Sequence, residues 1–168
     1  MPPRCARRHR PELSGNQLSS GRYDKVKLYE GFLLIMGKIK MQEIAYCGHH
    51  CKYCFYTNCS GCRSENPTCS YANLFEDKKC PNVTCCKNKG INGCYECLEL
   101  LNCGHGFFSR EDEQVAKATA LFIQKHGLLE YDKTLKASIN SGVKYPEHFN
   151  ALNSVQKMIQ LLDAHKSK

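Results

Sequence analysis

The sequence predicts an α-plus-irregular chain: a small cysteine-rich knuckle module with little β structure, followed by a C-terminal three-helix segment. Three observations carry this. Twelve of the thirteen cysteines fall between Cys47 and Cys103, and only Cys5 lies outside. From residue 109 to residue 168 there is no cysteine, and apolar residues recur at helical spacing instead. The hydrophobic fraction of 42% counts the cysteines, and there is no Trp, so about a third of the chain is left for an ordinary apolar core. A length of 168 residues is one domain's worth of sequence with an appended tail. The longest apolar run, Phe32 to Met36, has five residues, far short of the ~18 of a membrane span. A membrane-spanning protein, a large enzyme barrel and a domain held by hydrophobic burial alone are thereby excluded.

Residues 1–40 read as a disordered basic tail. Lys and Arg number 24 against 16 Asp and Glu, and nine of those bases with three of the acids lie in this stretch. The body beyond it is nearly neutral. Pro2, Pro3, Pro11, Gly15 and Gly21 interrupt every periodic stretch of the tail. It lacks the apolar core and small-residue cleavage site of a secretory signal. Met36 and Met41 stand just before the cysteine-rich region, and one of them is the expected native start. The functional alternative is an Arg-rich arm that binds nucleic acid through phosphates, and this tail is the only part of the chain suited to that.

Residues 41–108 form the cysteine-rich module. Without an export signal the expected compartment is the reducing cytoplasm, where disulfides do not persist and thiolate ligation of metal is the better use of clustered cysteines. The spacing is Cys47-x3-Cys51-x2-Cys54-x4-Cys59-x2-Cys62, then Cys69, Cys80, Cys85-Cys86, Cys94-x2-Cys97 and Cys103. Two residues between thiols make a tight turn that brings both sulfurs to one metal at ~2.3 Å. Gly61 and Gly93 adjoin two of the three such pairs and ease those turns. Zinc is therefore the expected ion, with two sites expected and three accommodated by the number of thiols. Cys47, Cys51, Cys54, Cys59 and Cys62 offer one ligand set, and Cys80, Cys85, Cys94, Cys97 and Cys103 the other. Cys69 and Cys86 are the expected non-ligands, free to pack as small apolar residues. Whether His49, His50 or His105 replaces a thiolate stays open, as does the pairing of thiols with metals. Zinc on eight thiolates leaves the body at about −2, which counts against a sequence-reading DNA finger. There is no Cys2His2 spacing with a recognition helix either.

The stretch Cys47-Gly48-His49-His50-Cys51-Lys52-Tyr53-Cys54 resembles the CxxxCxxC signature of radical S-adenosylmethionine enzymes, in which three thiolates hold a 4Fe-4S cluster. Only 114 residues follow Cys54, and they lack the strand–helix repeats of that family's partial barrel. A second resemblance covers more of the chain. Ile44-Ala45-Tyr46-Cys47-Gly48 with Cys51 and Cys54, then Cys59-Ser60-Gly61-Cys62-Arg63-Ser64, then Cys85 through Lys89-Gly90-Ile91-Asn92-Gly93-Cys94-Tyr95-Glu96-Cys97 to Cys103, is similar in order and spacing to a cysteine-rich family, domain of unknown function 3795. His49-His50 stands where that family more usually has Leu-Asp, and the stretch before the Gly-Cys pair is shorter here. The resemblance implies zinc binding through about eight cysteines and implies no activity.

Residues 109–168 form the helical segment. Ser109, followed by Glu111, Asp112 and Glu113, reads as an N-cap with acids in the first turn. Val115, Ala118, Phe122 and His126 share one stripe, and Gly127 stops the helix. A second helix from about Leu128 carries Tyr131, Leu135 and Ile139 to an Asn140-Ser141-Gly142 stop. Pro146 breaks the chain, and Asn153 or Ser154 caps a third helix with Val155, Met158, Ile159 and Leu162 as its stripe. His126, His148 and His165 are scattered, and no acid–base pair, Ser/His/Asp set or phosphate-binding loop is present, so no enzyme is expected. The expected function is a non-catalytic zinc-binding module whose surface serves an unidentified protein partner, with no membrane. The alternatives are an iron–sulfur protein using the same cysteines and a thiol or metal sensor using surplus thiols.

Overall fold

The computed structural model describes residues 43–56 and 58–166. The basic tail and both candidate start methionines lie outside the described residues. Within them the architecture is helical and irregular, as expected, with no strand and a single antiparallel bridge between Ile44 and His50.

The cysteine-rich module is built from short 3-10 turns, Cys51–Tyr53, Ser70–Leu74, Cys94–Glu96 and Leu100–Asn102, around one α-helix that the sequence reading did not contain. This helix, α1, runs Pro81–Lys89. Pro81 suits its first turn, where the missing N–H has no intrahelical partner, and Gly90 ends it at φ 64° in the left-handed region. Two further 3-10 turns, Gly106–Ser109 and Glu111–Glu113, lead into α2, Gln114–His126. Ser109 does not cap α2: its hydroxyl donates to the Gly106 carbonyl 2.8 Å away, inside the earlier turn. Burial of Phe107 and Phe108 holds that turn against the core, and the helix begins four residues later than expected.

The helical stripes lie where their periodicity places them. Gly127, at φ 84°, separates α2 from α3, Leu128–Asn140. A one-turn helix, α4, Glu147–Ala151, begins directly after Pro146, so the segment has four helices among the described residues instead of three. Ser154 caps α5, Val155–Ala164, accepting the Lys157 N–H at 3.4 Å. α2 is the central element and packs against α3, α5 and the turns around Cys94 and Phe107. Val115, Ala118, Phe122, Leu135, Phe149, Met158 and Leu162 are fully buried there. Each large side chain among them stabilises the fold by about 1.5–3 kcal/mol.

Three of the contacts that dock the helical segment on the cysteine module lie around Gly48 and His50. Gly48 lies so close to α2 that a Cβ on it would stand 2.8 Å from the Ala120 backbone nitrogen. His50 Nε2 donates to Asp132 of α3 at 3.3 Å. The Tyr145 hydroxyl, on the loop before α4, accepts the His50 amide at 3.1 Å.

Candidate metal centre

All ten cysteines expected as ligands, together with Cys69 and Cys86, line two recesses. The first is small, about 30 Å³, and is walled by Cys47, Cys51, Cys54, Cys59, Cys62, Cys69 and Cys80 with His49. The second is open and about 510 Å³, and brings together Cys85, Cys86, Cys94, Cys97 and Cys103 with His105. Grouping in space thus differs from grouping by sequence order at Cys80, which precedes α1 and faces the first recess. Cys69 and Cys86, set aside in the sequence reading, stand among the others.

The turns have the form expected of paired thiols. The Cys54 N–H donates to the Cys51 carbonyl at 3.2 Å, and the Cys97 N–H to the Cys94 carbonyl at 3.0 Å. Gly61 gives the Cys59–Cys62 turn its positive φ of 81°. Donors already point at several sulfurs. The Tyr46 N–H lies 3.5 Å from Cys62 Sγ, the Ser70 N–H 3.4 Å from Cys59 Sγ, and Lys89 Nζ 3.3 Å from Cys97 Sγ. Such bonds orient the sulfurs as the outer partners of a metal-bound thiolate do. Cys86 Sγ and Cys94 Sγ are 3.6 Å apart. Two sulfurs on one tetrahedral zinc stand about 3.8 Å apart, so this pair already spans one edge of such a site.

The electrostatics favour a cation. Burial pushes the Cys47 thiol well up, and the neighbouring Cys62 and Cys80 sulfurs push it further. The same two causes raise Cys51 to about 12 and Cys69 to about 11. Cys94 goes the other way, lowered by the hydrogen bond from Cys86 against the opposing effect of burial, with help from the Asn82 amide 3.6 Å from its sulfur. A divalent ion reverses the repulsion among sulfurs and takes the place of their protons. The donor chemistry therefore fits zinc. Among the described residues no group of three or more His, Cys, Asp or Glu side chains forms a ready-made metal site.

The two adjacent histidines differ. His50 is buried and faces away from the recess, giving its Nε2 proton to Asp132. Burial lowers its pKa, the nearby Asp132 opposing, so it is a neutral donor. His49 faces the sulfurs and is pushed down to about 4, first by burial and then by His50. His105 is exposed on the rim of the second recess.

One residue to which the sequence reading gave no role of its own ties the two cysteine groups together. Arg63 donates through Nε to the Ile44 carbonyl at 2.6 Å and through its terminal nitrogen to the Asn92 carbonyl and the Tyr95 hydroxyl. Its guanidinium also lies 4.0 Å above the Tyr46 ring. This fixes the Cys62 turn to the Cys94 turn. Its signal in the sequence was its place beside Cys62 in the Gly-Cys stretch.

No family model matches the chain, and neither does any curated protein or any solved structure.

Proposed function

We propose that the chain is a non-catalytic zinc-binding module of a reducing compartment, in which metal ions staple the cysteine turns and the helical segment completes the surface that a partner protein binds. The observation that carries this is the collection of all twelve described cysteines around two recesses, with none of them paired as a disulfide. Raised thiol pKa values without a cation and N–H donors aimed at the sulfurs support the same reading. Where metal organises turns in this way, metal affinity and local folding are one free energy. The first recess, about 30 Å³, is small and suits a single ion rather than a cluster. Leu98 and Leu101 stand exposed beside the second cysteine group and are apolar contacts that a partner would cover. No helix among the described residues is long and apolar enough to cross a membrane.

The second reading, an iron–sulfur protein, is favoured by one observation: the recess of about 510 Å³ with five cysteines around it has room for a cluster. Elemental analysis with a visible spectrum on protein purified without oxygen separates the two. Zinc at about two or three atoms per chain and no colour is the expected result. A brown protein with about four iron atoms and matching sulfide overturns it.

A further inference from the structure

His49 is 5% exposed, yet only one side of its ring is satisfied. Nδ1 lies 3.1 Å from the Tyr145 hydroxyl, while Nε2 is buried with no hydrogen-bond partner. A buried polar atom left in that state is destabilising, so a partner for it is expected. The ring forms part of the wall of the first recess, beside Cys47, Cys51, Cys62 and Cys80. It is steadied there by Tyr71, whose ring meets it edge-on at 5.5 Å.

We infer that His49 is a nitrogen ligand, through Nε2, of the ion held in the first recess, and that the Tyr145 hydroxyl is its positioning partner. This rests on the metal reading above and adds to it that the first site is mixed sulfur and nitrogen. The proton bookkeeping is consistent. A ligating Nε2 must be bare, which places the ring proton on Nδ1, and Nδ1–H then donates to the Tyr145 oxygen. The same oxygen accepts the His50 amide at 3.1 Å, so its acceptor capacity is filled and the imidazole is held in one direction. Metal-bound histidines characteristically give their other ring proton to such an outer partner. His50 also has a bare buried ring nitrogen, Nδ1, with its Nε2 proton given to Asp132, but His49 is the one of the two that lines the first recess. The assignment also links the metal to the helical segment, since Tyr145 lies 96 residues from His49 in the chain.

The test is zinc K-edge absorption on the zinc-loaded full chain, wild type against His49→Ala, with His105→Ala as control. The expected result is an imidazole contribution in wild type and His105→Ala that is lost in His49→Ala. An all-sulfur spectrum in wild type, or an imidazole contribution that survives His49→Ala, overturns the assignment and leaves the metal reading standing. A chain that binds no zinc overturns both. Should His49→Ala not fold, long-range ¹H–¹⁵N spectra of the wild-type chain decide. Zinc should leave the His49 proton on Nδ1 with Nε2 shifted as a metal-bound nitrogen; a proton on Nε2 in the loaded protein overturns the inference. For Tyr145→Phe, chelator competition should show zinc affinity about 10–100-fold weaker with the imidazole contribution retained. Unchanged affinity removes the positioning role.

Discussion

Gly48 sits between two cysteines of the first group with φ at 95°, and its missing side chain is where α2 approaches. Gly48→Ala meets two penalties, a left-handed backbone and a Cβ 2.8 Å from the Ala120 nitrogen, which is helix backbone and cannot rotate away. Together they predict a loss of about 2–4 kcal/mol in urea unfolding. Gly90→Ala is the matched control: φ is 64°, but nothing lies within 4 Å of the added carbon, so about 1–2 kcal/mol is expected. Equal losses in the two variants would refute the close approach. Asp132 supplies a pH test. Burial raises its pKa, but hydrogen bonds from Lys136 and His50 outweigh that and hold the carboxyl below its ordinary range. Its folded pKa is therefore below the unfolded value of about 3.9, so its contribution is complete above that pH and fades as pH falls through the folded pKa. The stability gap between wild type and Asp132→Asn should be open at pH 6 and narrow at pH 3, since loss of metal in acid is common to both chains. A gap independent of pH would show that the ionised carboxylate contributes nothing.

α5 is held at its N-terminus by Ser154, whose hydroxyl is the one side-chain cap among the five helices of the described residues. Ser154→Ala should lower stability by about 1 kcal/mol in thermal or urea unfolding, and Ser154→Asp should restore it. No change in the alanine variant would mean that packing of Met158 and Leu162 on α2 alone sets the start of the helix. The cap and the stripes of α2, α3 and α5 were legible in the sequence because each of these helices turns one apolar face to a shared core. α1 was not, because the residues it buries are Asn82 and Cys86, which make no apolar stripe. Its only local marks were Pro81 and Gly90. α4 is a single turn and falls below any period. The candidate site divides in the same way. Cysteine spacing showed which thiols cluster, since tight turns are local. The grouping was not legible, because α1 decides that Cys80 faces one recess while Cys86 reaches Cys94 in the other. The different roles of His49 and His50 depend on Tyr145 and Asp132, each more than 80 residues away, and no local signal reports that.

At the scale of the molecule, the helical segment and the cysteine module depend on each other. Ile44, Tyr95, Leu100, Phe107 and Phe108 of the module lie in the same buried cluster as Val115, Phe122, Leu135 and Leu162 of the helices. A segment of about 60 residues with one small core is marginal alone, so the helices should need the module's apolar side chains to stay folded. Those side chains come from short turns with little regular structure, held in place by Arg63 and, on the metal reading, by zinc. Removing the metal should therefore act at a distance. Chelation of the zinc-loaded chain under reducing conditions is expected to lower the thermal midpoint by well over 10 °C and to lose helical circular dichroism and near-ultraviolet tyrosine signal in one transition, because the free energy of structural zinc sites is on the order of 10 kcal/mol. Restoring zinc should recover both signals. If the helical signal instead melts at an unchanged temperature while only the tyrosine signal moves, the helical segment has a core sufficient in itself, and the cysteine module is an appendage to it rather than its foundation.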